Sequence, residues 1–549
     1  MELVRDTHAS LEDTDSNATK QRHYDVLDLC AGTLSILLVQ SFDQHSECNS
    51  EQFETPSTSG FGAAFVDVVV KLLESDHPVE FRVSFSRVVP AMSLLIPGSV
   101  KSSDASVISA LCSAVFDLYR EVSEFRPLDA TTSTDTPVSR DHVFPLTSIR
   151  RVAYAFQVLV ETSASLQQFV QIKHALPFVM TSIKELFTAV RVAGGFGGKR
   201  ARTSNTSSST QDVFVLDICG RIQTHMEVMS AVVGGNKENQ QLAQGLLYVV
   251  LSNWSVMKTA HVRGSQLLLC ALHLLANYIY GNDTTRDSLL ISLPPASGKA
   301  VGDKSQTLLS LLLSLASTRG EIGASSRHVG NSVSPSAADT ALSNAACEVL
   351  KAVLHNTECV LASVKTGSIS KLIDSLQERL KQARQTRKTH GLELENLAHM
   401  LSVLSGIACN EEGARVLYVN WSTVLSLVFG DAIHSSDAAV RHAGCLFMRN
   451  LALSESTKNH FAVWEELLDE VVAACIRASS TTATDVTTLQ YLSATLWSLV
   501  FDNQRARALL LSRPTALQNL HELLTLQQAQ STTRDIAENL RRVLLLVQE

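Results

Sequence analysis

The sequence predicts an all-α helical-repeat solenoid, and three observations predict it. Apolar residues recur every three or four positions along most of the chain. Glycine (25) and proline (12) are scarce among 549 residues, too few for a β-sandwich or barrel, which needs a turn roughly every 8–12 residues. An apolar–polar–apolar unit also recurs toward the C-terminal end. Apolar types make up 45% and charged types 18%, so the chain can bury a large core and does not read as a disordered acidic polymer.

In chain order, residues 1–20 are polar and acidic and are expected to be disordered, without the basic-then-apolar order of a signal peptide. An armadillo-like helical region is expected over 21–193, with stripes at Val26–Gln40, Ser103–Phe125 and Leu146–Thr162. In the second stripe Val107, Leu111, Val115, Leu118, Tyr119 and Val122 share one face. Pro78–Val89 alternates with period two, yet Phe81, Phe85, Val88 and Val89 also fit a helix face that ends before Pro90, and the helix is preferred. Residues 194–211 read as a disordered Gly/Ser/Thr-rich loop. Middle repeats are expected over 212–318 (stripes Gln240–Leu251, Gly264–Tyr280, Ser305–Ser317), followed by a flexible loop at 319–336. The C-terminal repeats, 337–549, carry stripes at Ala337–Leu354, Ile369–Arg384, Leu392–Ala408, Ala438–Leu453, Trp464–Arg477, Thr488–Phe501 and Arg534–Val547. Residues 41–60 and 126–141 are too polar to offset chain entropy and read as mobile loops. Thr55-Pro56, Thr136-Pro137 and Ser334-Pro335 fall in these loops and read as turn dipeptides or phosphorylation sites.

The repeat is an apolar helix end, a polar loop and another apolar start. It occurs at Ile407–Leu417, Leu451–Phe461 and Leu499–Leu509, with earlier copies at Ile279–Leu289 and Leu159–Phe169. The anchors Ile407, Leu451 and Leu499 lie 44 and 48 residues apart, and the earlier gaps of 120 and 128 each hold about three such units. Such a period, with two or three helices per unit, marks armadillo or HEAT solenoids, in which stacking neighbours supply the core. Each C-terminal copy reads as a long helix, a short one, then a second long one (Val416–Phe429, Trp464–Ile476, Thr515–Thr525). That order resembles the armadillo repeat, and Arg449–Leu453 (RNLAL) is nearest its third-helix motif. Nuclear-import armadillo receptors carry a Trp four residues before an Asn there, as a peptide-binding ladder. Asn450 stands at the Asn position, but the Trp position holds Leu446; neighbouring copies hold Ser402 with Gly406, and Ala494 with Ser498. Trp497 is one residue out of register. The ladder is missing, which disfavours a cargo receptor.

Residues 438–511 carry a more particular pattern. VRHAGCLFMRNLALSESTKNHF is followed by LQYLSATLWSLVFDNQRARALL, with Trp497, Asn503 and Gln504 in the segment Leu496–Ala506. This block resembles the C-terminal end of the rotatin family. The resemblance implies an armadillo-like protein without enzymatic activity, at the centrosome, centriole and ciliary basal body. Its partners would be other centriolar proteins, some of them tubulin-associated. The candidate partner-binding residues are Arg449, Asn450, Trp497 and Asn503. A generic cytoplasmic or nuclear armadillo adaptor, and a solenoid regulator of a partner enzyme, are the alternative readings.

A search for chemistry finds no GxxxxGK[ST], GxSxG, HExxH or kinase signature, so neither catalysis nor a cofactor is expected. The Gly-rich Gly194–Gly198 precedes a polar loop and not a phosphate-holding helix start. The ten cysteines stand singly with no CxxC, as buried structural thiols would. His442 and Cys445 share a helix face but lack further ligands nearby, so no metal is expected. Net charge is −8, which supplies no positive field for nucleic acid. No apolar run reaches the ~18 residues of a membrane helix. The reading is therefore soluble and intracellular, with the sequons at Asn17, Asn205, Asn253, Asn282 and Asn420 unused. Lys199–Arg202 reads as a chance basic run or a nuclear signal. Lys371, Arg379, Lys381, Arg384, Arg387 and Lys388, beside Asp374 and Glu378, read as a solvated face or a dock for an acidic partner such as tubulin; Leu372, Ile373, Leu376 and Leu380 form the buried stripe of that helix.

Overall fold

The computed structural model describes residues 22–33 except 23 and 28, 59–93 except 75, 105–124, 144–162, 166–168, 175–192, 208–254, 257, 264–282, 287–290, 307–317, 337–385, 391–461, 465–480, 485–528 and 534–548. The elements among these residues are all helical, with no strand, so the chain is an all-α helical repeat as expected. Packing divides it into two compact units, Met1–Thr285 and Arg286–Glu549. The division falls inside the block 212–318 that the sequence reads as continuous. The loops at 126–141 and 319–336, residues 1–20, Cys48, and Lys199–Arg202 lie outside the described residues, as do most of 41–60 and 194–211.

Met1–Thr285 contains α1 (Ser59–Leu73), α2 (Val79–Phe85), α3 (Val88–Ser93), α4 (Ala105–Ser123), α5 (Leu146–Thr162), α6 (Ala175–Val192), α7 (Ser208–Val233), α8 (Lys237–Leu242), α9 (Gln244–Ser252) and α10 (Gly264–Ile279). Helices α1, α4, α5, α7 and α10 pack each on the next as one row, and α6 lies against α7 and α9. The α4 stripe faces inward: Leu111, Val115, Leu118, Tyr119 and Val122 are buried, and Val107 is half-buried.

Four sequence expectations need correction in this unit. The Pro78–Val89 helix does not stop before Pro90; it breaks at Ser86–Arg87, and Pro90 sits in the first turn of α3, where no intrahelical N–H is required. Helices α1 and α7 begin at Ser59 and Ser208, so the ends of two expected loops are helical. The stripe Gln240–Leu251 is split at Ala243 into α8 and α9. Buried amides pin α8 in place. Asn239 Nδ2 donates to the carbonyls of Val232 (2.9 Å) and Gln167 (3.2 Å), and Gln240 Nε2 to those of Asn277 (2.9 Å) and Tyr280 (3.0 Å). The longest helix, α7, gives no clear stripe because it buries polar groups among apolar ones. Arg221 pairs with Asp217 (2.7 Å) and the Phe144 carbonyl (2.7 Å), and His225 shares a hydrogen bond with the Tyr119 hydroxyl. Burial, then the Arg221 charge, lowers the His225 pKa to about 3, so its imidazole is neutral at pH 7.

Arg286–Glu549 opens with a 3₁₀ turn, Asp287–Leu290, and continues with α11 (Leu308–Ser317), α12 (Ala337–Val353), α13 (Thr357–Lys365), α14 (Ser368–Gln385), α15 (Gly391–Ala408), α16 (Glu411–Val419) and α17 (Trp421–Leu427). It closes with α18 (Ala438–Leu453), α19 (Glu455–Phe461), α20 (Glu465–Ser480), α21 (Val486–Val500), α22 (Gln504–Leu511), α23 (Pro514–Gln528) and α24 (Arg534–Gln548). The long–short–long order appears in three of four consecutive copies from Ala337 to Gln528, the second copy departing from it at α17. Helices α11, α12, α15, α18, α21 and α24 stack as one row, and the short helices α13, α16 and α19 as a second. The anchors Leu159, Ile279, Ile407, Leu451 and Leu499 are all buried.

Asparagine starts three of the short helices. Asn356, Asn410 and Asn503 each accept hydrogen bonds from backbone N–H groups in the first turn that follows. At the matching place in the third copy, the Ser454 hydroxyl instead donates to Glu411 (2.8 Å) in the copy before it. The second long helix of copy two departs from expectation: Val416 belongs to the short α16, and α17 runs on into a π-turn at Val428–Ala432. That turn lies against Gly444, where a Cβ would come within 2.7 Å of the Ala432 Cβ.

Candidate interaction surface

Two of the four expected site residues face inward. Asn450, 7% exposed, donates from Nδ2 to the Ser405 carbonyl (3.1 Å) and hydroxyl (2.7 Å), tying α18 to α15. Asn503, also 7% exposed, accepts at Oδ1 from the Ala506 N–H (3.2 Å) and caps α22. The Asn450 amide is thus committed to the neighbouring repeat, whereas Asn503 spends its oxygen on its own helix start and leaves Nδ2 buried without a partner.

Trp497 and Arg449 do reach the surface. Trp497 is half-buried near the end of α21, and its ring lies 5.7 Å from that of Phe501, which is 52% exposed. The Arg542 guanidinium of α24 sits 5.4 Å over the indole, and the Lys458 ammonium of α19 sits 5.4 Å over Phe501. The four side chains form a cation–aromatic–aromatic–cation line across three repeats. Asp502, with φ at 50°, turns the chain sharply after Phe501. Partial burial lowers the Lys458 pKa, while Asp502 and Glu455 act against that shift. Arg449 is half-buried on α18 and makes no hydrogen bond or ion pair among the described residues. The ladder positions Ser402, Gly406, Leu446 and Ala494 are half-buried, and Ser498 is buried; all but Leu446 are small.

The other sequence candidates resolve as packing. His442 Nε2 bonds to Asp485 (2.8 Å), which also accepts from Arg441 (2.7 and 2.9 Å) and from the Thr488 hydroxyl (2.7 Å). Burial works to raise the Asp485 carboxyl, but the hydrogen bonds from Thr488, Arg441 and His442 outweigh it and hold the group below the usual carboxylate range. Cys445 is fully buried, with its thiol pushed up to about 12 by burial and then by the Asp485 charge, against the Arg441 charge. Among the described residues no three metal-ligating side chains come together. Six of the nine described cysteines are buried; Cys409 is exposed. On α14, Leu372, Ile373, Leu376 and Leu380 are buried as expected, Lys371 and Lys381 are exposed, and Arg379 turns to Asn396 of α15. Asn253 and Asn282 are buried inside the fold.

Sequence reasoning missed a groove in Met1–Thr285. Gln157 and Glu161 of α5, Gln223 and Glu227 of α7, and Gln266 and Cys270 of α10 line an open cleft of about 500 Å³. The signal was present as polar pairs at helical spacing on three helices, but nothing local said that these helices are neighbours.

No family model and no curated protein matches the sequence. Among solved structures the chain is similar to an engineered protein from a structural genomics consortium, at 14% identity and a TM-score of 0.51 over 100% of both chains. It also aligns with the structure of Uso1-2 at 12% identity and a TM-score of 0.42, covering 99% of this chain and 91% of that one. The first likeness is one of fold alone. No described helix is long and apolar enough to cross a membrane.

Proposed function

We propose that this protein is a non-enzymatic scaffold that binds partner proteins on its helix-row surfaces, working at the centriole and ciliary basal body. The repeat fold supports the scaffold half of the reading: stacked helices offer a long surface on which partners are held in place. The observation that carries it is the line Lys458–Phe501–Trp497–Arg542, an aromatic pair, exposed at Phe501 and half-buried at Trp497, flanked by cations, which is the composition of a binding hot spot. The basal-body half rests on the rotatin resemblance of residues 438–511, which contains Trp497 and Asn503. Centriolar proteins, some of them tubulin-associated, are its partners in this reading.

The test is imaging of the tagged chain against basal bodies, with Trp497→Ala and Phe501→Ala as probes. Phe501→Ala should change stability by no more than about 0.5 kcal/mol, as for an exposed site. Trp497→Ala should cost less than the ~3–5 kcal/mol of a fully buried tryptophan. Both should reduce recruitment. Diffuse wild-type signal would end the basal-body reading, and full recruitment of both variants would remove the aromatic line as its contact.

A further inference from the structure

Trp497 and Phe501 belong to a wider strip across three neighbouring helices of Arg286–Glu549. Helices α18, α21 and α24 pack in that order. Helices α21 and α24 run in the same direction: Asn539 Nδ2 reaches the Ser493 hydroxyl (3.3 Å), and one turn further along both, Arg542 lies over Trp497. Arg449 holds on α18 the place of Trp497 on α21, each two residues before its buried anchor, Leu451 or Leu499. The first row of the strip is therefore Arg449, Trp497 and Arg542. The turn that follows carries Leu453, Phe501 and Leu545, and all three are exposed. Large apolar side chains exposed at matching places on successive helices are a patch, unlike the scattered single exposures of an ordinary surface. Its charges are unevenly answered. Arg542 Nε donates to Glu538 on its own helix (2.9 Å), and Asp502 and Glu455 act on the Lys458 ammonium. Glu411, beside Ser454, already accepts from Ser454 and Ser456. Arg449 makes no hydrogen bond or ion pair among the described residues, so a half-buried guanidinium is left to an incoming carboxylate.

We propose that this strip binds an acidic amphipathic helix of a partner protein, laid across α18, α21 and α24. Its apolar stripe meets Leu453, Phe501 and Leu545, and its carboxylates meet Arg449 and Lys458. Spacing selects a helix. Packed helices stand about 8–10 Å apart, and a helix presents the same face every seven residues, about 10.5 Å along its axis. Apolar residues at that interval reach successive members of the row, whereas a strand repeats a face roughly every 6.6–6.8 Å and falls out of step. Charge selects the sign, since a basic helix would set its cations against Arg449 and Lys458. The inference rests on the scaffold reading of this aromatic line and names its partner chemistry, but it is tested on the purified chain. Peptide binding without basal-body recruitment would end only the localisation reading. Recruitment that depends on Trp497 and Phe501 without peptide binding would end only the acidic-helix proposal.

The experiment is fluorescence anisotropy of the full chain with a labelled peptide of three heptads, carrying leucine every seventh residue and glutamate and alanine elsewhere. One comparison peptide has the same composition with its leucines shuffled off the stripe; the other has lysine in place of glutamate. The first should bind, and both comparisons should bind at least tenfold more weakly. Arg449→Gln with Lys458→Gln should weaken binding of the first peptide at least tenfold at unchanged melting temperature. Leu453→Ser with Leu545→Ser, two exposed sites, should do the same without touching charge. Lys184→Gln with Lys237→Gln removes two cations from exposed sites of Met1–Thr285 and should leave affinity within twofold. Equal weakening by that pair and by Arg449→Gln/Lys458→Gln would reduce the effect to overall charge and overturn the proposal. So would equal binding of the shuffled or the lysine peptide, or affinity unchanged by Leu453→Ser/Leu545→Ser.

Discussion

At the scale of single residues, the same side-chain type does opposite work depending on where its helix points. Asn450 stitches two repeats and Asn503 caps one, although both stand in the stretch that reads as a binding face. Asn450→Ala removes two hydrogen bonds and leaves the Ser405 groups buried and unpaired. It should cost about 1–3 kcal/mol in denaturant unfolding. Asn503→Ala should cost about 1 kcal/mol, as for a lost N-cap. Recruitment to basal bodies should fall only as far as stability falls; loss of recruitment at unchanged stability would return these residues to the binding surface. His225 supplies a pH dependence. Its unfolded imidazole titrates near 6.5 and the folded one near 3, so between those values only the unfolded chain takes up the proton. The stability contributed by the neutral buried ring is complete above about pH 6.5 and is lost as pH falls toward 3. Melting temperature should decline over that interval in the native chain, and less steeply in His225→Gln.

At the scale of elements, helix existence was legible and helix boundaries were less so. Leu146–Thr162 and Ala438–Leu453 match the expected stripes residue for residue, because each has an uninterrupted apolar face. Helix α7 was hidden because Arg221 and His225 occupy its buried face, so burial did not register as hydrophobicity. The join between α15 and α16 shows a constraint that no pattern of apolar residues reveals. A Cβ on Gly413 would lie 2.3 Å from the Ile407 carbonyl oxygen, and backbone cannot move aside as a side chain can. Exchanging glycine for alanine inside a helix ordinarily gains up to ~1 kcal/mol. Here Gly413→Ala should instead destabilise by about 1–3 kcal/mol, as overpacking does. Thermal melting of that single variant checks the sign.

At the scale of the whole molecule, far-UV circular dichroism should show a helical spectrum without a resolvable sheet component, since no described element is a strand. A substantial β contribution would contradict the fold. The sequence by itself determined that this chain is helical, that it repeats at about armadillo length, and which residues anchor each copy. Those are local properties: the period of apolar residues and the cost of glycine and proline act within a few turns of chain. Only the tertiary structure decided which polar side chains turn inward, how Lys458 and Arg542 come to flank Trp497 and Phe501, and that Glu161, Glu227 and Cys270 share one groove. Each of those depends on which helices lie side by side, and stacking brings together residues that no short-range pattern in the chain connects.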